Sequence, residues 1–182
     1  MIRSIGALEY RSISKGIEIA DHIIKKASVE IIYFRTICPG KFLIIVTGDE
    51  GAVDEAITYG EEKNEKSFVD SFRLHAVSPA IIDGIKNKYE TKEINDAIGI
   101  VEANKICTGI EVLDRVLKAS DVKLIKMQLA QCISGKLVFT VTGAVSSIEY
   151  GFKEVKSKLS PNEYANIALI PSPSEQIKKY LI

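Results

Sequence analysis

The first half of this chain is repeated, with the same spacing, in its second half. "SIGALE" at 4–9 returns as "AIGIVE" at 97–102, an offset of 93 that sets Gly6 on Gly99 and Glu9 on Glu102. Gly16 then meets Gly109, Glu18 meets Glu111, Asp21 meets Asp114, Lys25 meets Lys118 and Val29 meets Val122. Further on, "CPGKFLIIVTG" meets "CISGKLVFTVTG" at an offset of 95, through Gly40/Gly135, Lys41/Lys136 and Gly48/Gly143. A long, nearly gapless self-match means that one structural unit has been written twice. The second copy carries two extra residues in the segment that opens "QCISG".

The 182 residues suffice for two small domains of about 90 residues each. Between the copies lies "IKNKYETKEIND" (85–96), charged and poor in apolar residues, which reads as a linker. A boundary near residue 92 gives a first domain over 1–92 and a second over 93–182.

Each copy shows the same order of elements. "RSIGALEY" alternates as a strand does, and Ser12 then offers an N-cap to an amphipathic helix. Ile13, Ile17, Ala20 and Ile24 share one face of that helix, repeated by Ile106, Ile110, Leu113 and Leu117. Gly16 and Gly109 lie on or beside that face, where a missing side chain permits close packing. Two β-branched runs, "VEIIYFRTI" and "KFLIIVTG", follow and are joined by a Pro-Gly turn. A second helix is expected after "TGDEG", a fourth strand over "FVDSFRLHAV", and a short helix after Pro79. The order β-α-β-β-α-β specifies a ferredoxin-like α/β (α+β) unit, with helices on one face of a four-stranded sheet. Two such units stand in tandem.

Composition removes several classes of function. Acidic and basic residues balance at 24 each, so nothing drives phosphate-backbone binding and no nucleic-acid partner is expected. With 46% hydrophobic residues the chain can build proper cores. Its longest apolar run, "FLIIV", is far too short to span a bilayer, and "MIRSIGALEYRS" lacks a signal-peptide core, so no membrane partner is expected. Three cysteines, Cys38, Cys107 and Cys132, are an odd number and fit a reducing cytoplasm rather than a disulfide framework. No nucleophile triad, phosphate-binding loop, dinucleotide fingerprint or metalloprotease helix occurs, so the chain reads as a non-enzyme. His22 and His75 have no counterparts in the second copy and read as structural. The recurrence of Glu9 and Glu102 reads as a shared structural contact, and Cys107 as a packed thiol.

The repeat unit, "AIGIVE", a helix ending "LKASDV", then a hairpin tip leading into "GKLVFTVTG", resembles the domain of bacterial microcompartment shell proteins. Both halves match, so the resemblance covers nearly the whole chain. It implies a tandem-domain shell protein that forms a homotrimer mimicking a hexameric tile, with other shell proteins joined edge to edge. More narrowly, "TICPGKFL" at 36–43 is similar to the tip in the iron–sulfur-carrying trimeric shell protein of propanediol-utilisation microcompartments. By that motif, Cys38 of each chain would line the central pore and three copies would hold one 4Fe–4S cluster. Pro39, Gly40, Lys41 and the second tip's Cys132 become pore-lining candidates. "IIKKAS" and "VLKASD" match the family's edge pattern, which makes Lys25 and Lys118 tile-edge candidates.

Chemistry is compatible with that expectation. Iron–sulfur clusters are held by thiolates, usually four, and one suitable tip per chain approaches that number only through symmetry. A threefold site leaves one iron for a non-protein ligand. Lys41 and Arg35 would add positive charge there, and a redox protein inside or outside the compartment would be the partner. Two other readings stand beside it: a plain shell tile with a metabolite pore, and a soluble ferredoxin-like trimer that binds a small molecule.

Overall fold

The computed structural model describes residues 4–63, 66–90, 93–94, 96–129, 134–160 and 162–182, with Ala165 described in its backbone only. Two compact units divide between Val77 and Ser78. In the first, β1 (Ser4–Tyr10), α1 (Ile13–Lys26), β2 (Val29–Ile37), β3 (Lys41–Gly48), α2 (Glu50–Lys63) and β4 (Phe68–Leu74) follow in order. The second holds α3 (Pro79–Ile85), β5 (Ala97–Ala103), α4 (Ile106–Ala119), β6 (Val122–Leu129), β7 (Leu137–Gly143), α5 (Val145–Lys158), β8 (Tyr164–Ile170) and α6 (Glu175–Leu181).

Each sheet has four strands, in the orders β2-β3-β1-β4 and β6-β7-β5-β8, with every neighbouring pair antiparallel. Each unit therefore interleaves two split β-α-β crossovers: β3 lies between β1 and β2, and β1 between β3 and β4. This is the arrangement the repeat specified. Equivalent residues hold equivalent registers. Gly6 faces Val46 as Gly99 faces Val141, and the β2–β3 irregularity at Ile31/Tyr33 recurs at Leu124/Lys126.

The helices start where local chemistry directs them. Ser12 caps α1, its hydroxyl accepting from the Lys15 N–H at 3.4 Å. The buried face of α1 is not the expected Ile13, Ile17, Ala20 and Ile24 stripe: Ile13, Ile17 and Ile24 are exposed, and Ile19, Ala20 and Ile23 pack with Leu8, Tyr10, Phe42, Ile44, Val53 and Ile57. The repeat's glycines are contact points. A Cβ on Gly16 would lie 2.7 Å from Phe42 Cδ1, and one on Gly109 2.6 Å from Leu137 Cδ2.

Two element ends differ from the sequence reading. Helix α2 already begins at Glu50, one residue after Asp49, because a carboxylate in the first turn is favoured by the helix dipole. Strand β4 ends at Leu74 rather than continuing through "HAV"; Ala76 adopts φ +52 and turns the chain away from the ladder. The segment over 85–96 is also more than a tether. Tyr89 donates to the carbonyl of Met127 at 3.0 Å, and Ile94 is buried against Ile98 and Ile125.

One polar group sets a pH limit on the first unit. Arg73 Nη1 and Nη2 donate to the Glu61 carboxylate at 3.0 and 2.6 Å. Those bonds, aided by Ser71 Oγ and opposed by partial desolvation, hold Glu61 below the usual carboxylate range. A group whose folded-state value is depressed adds stability above its unfolded value, about 4.3, and loses it as pH falls through the folded value. Thermal melts between pH 3 and 7 should therefore show wild type losing more stability below about pH 4.3 than Glu61→Gln does. Parallel curves would show that the Arg73–Glu61 pair contributes nothing.

Candidate functional site

The β2–β3 hairpin ends in Cys38-Pro39-Gly40. Ile37 pairs with Lys41 as the last rung, so the three residues form the whole connection. Gly40 takes φ +73 with nothing within 4 Å of its Cβ position, and the Cys38–Pro39 bond is cis. Pro39 and Gly40 are exposed, whereas Cys38 is half-buried over fully buried Ile37. The tip thus presents one thiol on a short, side-chain-poor turn. Phe34 and Phe42 brace the hairpin below it in an edge-to-face pair, centroids 4.8 Å apart.

Lys41, a pore-lining candidate, opens β3 at the base of the tip. Its ammonium sits 2.6 Å from the buried Glu9 carboxylate, so its positive charge is answered inside its own chain. In the second copy Lys136 lies 3.4 Å from Glu102. The recurrence of Glu9 and Glu102 is therefore a shared structural contact: each ties the hairpin base to the first strand of its unit. Arg35 remains exposed on β2. Cys132 lies outside the described residues, while the tip beside it turns through Ser134 and Gly135, both at positive φ. Cys107 is 1% exposed in α4, as a packed thiol should be.

Lys25 and Lys118 occupy the last turns of α1 and α4. Each reaches back one turn to an aspartate, Lys25 to Asp21 at 2.6 Å and Lys118 to Asp114. The lysines keep 72% and 45% of their side chains exposed, so both remain open to a neighbour.

One cluster was not read as a group in the sequence. Glu50 and Asp54 lie one turn apart on α2, and His75, just past β4, places Nε2 3.4 Å from Asp54 and 3.9 Å from Glu50. Ser4 Oγ lies 3.1 Å from His75 Nδ1. Arg73 Nε stands 3.8 Å from the same Asp54 oxygen and offsets the acidic charge. The group holds no thiol, so it does not suit an iron–sulfur cluster. The i, i+4 acids were visible in the sequence; the histidine arrives only through the β1–β4 pairing.

Comparison with known proteins accords with this geometry. The BMC domain profile matches twice, over residues 4–81 and 97–173. The chain is 38% identical over 148 residues to the bacterial microcompartment shell protein PduT of Citrobacter freundii, covering 81% of this chain and 80% of that protein. The crystal structure of a microcompartment protein from Desulfitobacterium hafniense superposes with a TM-score of 0.88 at 31% identity, over 98% of this chain and 99% of that one. The fused permuted hexameric shell protein of the RMM microcompartment shares the fold, with a TM-score of 0.60 at 15% identity over 86% and 83% of the two chains. No helix among the described residues is long and apolar enough to cross a membrane. With two complete domains in sequence and in fold, the chain belongs to the bacterial microcompartment shell proteins, as a tandem-domain member.

Proposed function

We propose that three copies of this chain close into a pseudohexameric tile whose central opening holds one 4Fe–4S cluster on three Cys38 thiolates. The observation that carries this reading is the Cys38-Pro39-Gly40 tip, which presents one half-buried thiol on an otherwise open turn. One thiol per chain suits threefold sharing, with the fourth iron left to a non-protein ligand. Similarity to PduT over four-fifths of the chain supports carrying the family's cluster motif to this residue. A bound cluster would supply a one-electron store between a redox partner on one side of the shell and an acceptor on the other.

The chain's own residues would set the surroundings. Because Glu9 neutralises Lys41, backbone N–H groups of the tip, rather than lysine charge, would face the cluster's sulfurs. Pro39, Gly40 and Cys132 would form the rim. Lys25 and Lys118 would pack against neighbouring tiles, and no catalytic residue is assigned.

Iron and acid-labile sulfide in anaerobically purified protein test the cluster. About four of each per trimer are expected. An iron-free protein, even after cluster reconstitution, would overturn this reading and leave a tile with a metabolite pore. Edge packing has a separate test. Lys25→Ala with Lys118→Ala should abolish extended sheets in electron micrographs while trimers persist. Sheets that survive both substitutions would remove the lysines from the edge, and a wild type that never forms sheets would favour the soluble-regulator reading.

A further inference from the structure

The group of Glu50, Asp54 and His75 belongs to the first unit alone. Glu50 and Asp54 stand one turn apart at the start of α2, and His75 directly follows β4. By the repeat offset of 95, Glu50 corresponds to Val145 and Glu61 to Lys156. By strand register, Ser4 corresponds to Ala97, Arg73 to Leu169 and His75 to Pro171. Of these residues Asp54 alone keeps a carboxylate, as Glu149. The second unit reaches the same strand order and the same registers without the set. The fold therefore does not require it.

The three side chains converge on one point. Their ligand atoms all lie within 4.8 Å of one another, with His75 Nε2 3.4 Å from Asp54 Oδ1 and 3.9 Å from Glu50 Oε1. At a tetrahedral zinc centre, bonds of about 2.0–2.1 Å set ligand atoms about 3.3–3.4 Å apart. The His75–Asp54 spacing already has that value. Glu50, 69% exposed in the first turn of its helix, has the freedom to close the remainder.

Two further observations point to a cation. Asp54 Oδ1 is buried, although its side chain is 44% exposed, and it has no hydrogen-bond partner among the described residues. A buried carboxylate oxygen without a donor is costly, and an ion seated between it and Nε2 would satisfy both. Ser4, itself buried, places Oγ 3.1 Å from His75 Nδ1. With the ring proton donated there, Nε2 keeps a free lone pair beside Asp54, as in histidines oriented for metal binding. Arg73 does not meet the need. Both its Nη atoms bond Glu61, and only Nε stands near Asp54, at 3.8 Å. One guanidinium thus faces the carboxylates of Glu50, Asp54 and Glu61, an excess of negative charge that a divalent ion would balance. One imidazole with two carboxylates suits Zn²⁺ and its first-row neighbours better than Ca²⁺ or Mg²⁺, which take oxygen ligands.

We propose that Glu50, Asp54 and His75 form a zinc-class divalent metal site, which ties the end of β4 to the first turns of α2 and keeps a fourth position open to solvent. All three residues belong to the first unit of one chain, so the site depends neither on a cluster at Cys38 nor on the trimer.

Zinc chloride titrated calorimetrically into metal-stripped, full-length Cys38→Ser protein under reducing conditions tests it, the serine keeping the ion off the first tip. One ion per chain is expected at this site, with a raised thermal midpoint because the assembled ligand set exists only in the folded chain. His75→Ala and Asp54→Asn, at side chains 37% and 44% exposed, should each abolish that ion and the rise in midpoint. Their metal-free far-UV circular dichroism spectra should match the parent's. Ser4→Ala, which installs the residue that the second unit already carries, should keep the stoichiometry but weaken binding about 10–100-fold. Calcium chloride in place of zinc should give no saturable binding. Undiminished zinc binding in His75→Ala or Asp54→Asn would overturn the site, because the ion would then be held elsewhere. Calcium bound as tightly as zinc would reduce the group to an acidic pair and overturn the role of the histidine. A parent protein that takes up no zinc would overturn the proposal outright, whatever the iron content of the wild type.

Discussion

Cys38→Ser should leave a folded trimer with no iron and no acid-labile sulfide. Serine keeps the size of the side chain but offers a hydroxyl that stays protonated near neutral pH, so three copies no longer present three thiolates. Stability should change little, because the thiol is only half-buried at a turn whose neighbours Pro39 and Gly40 are exposed. Cys107 makes the opposite case. At 1% exposure inside α4, Cys107→Ser should retain the full iron content and lose about 1–3 kcal/mol, the cost of exchanging a packed thiol for a more strongly hydrated hydroxyl at a buried position. The two variants separate ligation from packing: one removes colour without stability, the other stability without colour. Iron that survives in Cys38→Ser would move the cluster away from the first tip.

Much of the fold follows directly from the pattern of residues. The strands over Val29–Ile37 and Lys41–Gly48 are rich in β-branched and aromatic residues on either side of Cys-Pro-Gly, and their ends coincide with the sequence reading. Duplication then doubled each observation, since a strand or helix read in one copy had to fit its counterpart. Less legible was anything decided by tertiary docking. Helix α3 reads as the tail of the first copy but packs in the second unit, and no periodicity within seven residues can say which sheet a helix will choose. Tyr89 and Ile94 sit in a charged stretch that masks two buried anchors.

The candidate site divides the same way. The place of Cys38 at a hairpin tip is local and was visible. The bond between Lys41 and Glu9 spans 32 residues and was not, although both residues recur at matching positions in the second copy. Paired recurrence of opposite charges was the available signal. It marks Lys41 as half of an ion pair within the chain, which lowers the positive charge available to any anion at the tip.

Three glycines that look alike in the sequence should respond in three different ways to alanine. Gly51 lies in the first turns of α2 with nothing within 4 Å of its Cβ position, so Gly51→Ala should stabilise by about 0.5–1 kcal/mol through restricted backbone freedom. At Gly16 the added methyl meets Phe42 Cδ1 at 2.7 Å and Phe42 Cβ at 3.0 Å. A ring can tilt, though only by disturbing its edge-to-face contact with Phe34, and a loss of about 1–2 kcal/mol is expected. At Gly109 the methyl meets Leu137 Cδ2 at 2.6 Å, Leu137 Cβ at 2.8 Å and Ala103 Cβ at 3.0 Å. Two of those atoms are fixed to strand backbones and cannot rotate away. Relief requires α4 to lift off β5 and β7, so Gly109→Ala should cost about 3 kcal/mol, at the upper end for overpacking. Adding Leu137→Ala would clear Cδ2 but leave both Cβ contacts and open a cavity, so the pair should be no more stable than Gly109→Ala alone. Urea denaturation of the four variants gives the order directly. A Gly109→Ala protein as stable as Gly16→Ala would mean that α4 can move off its sheet at little cost.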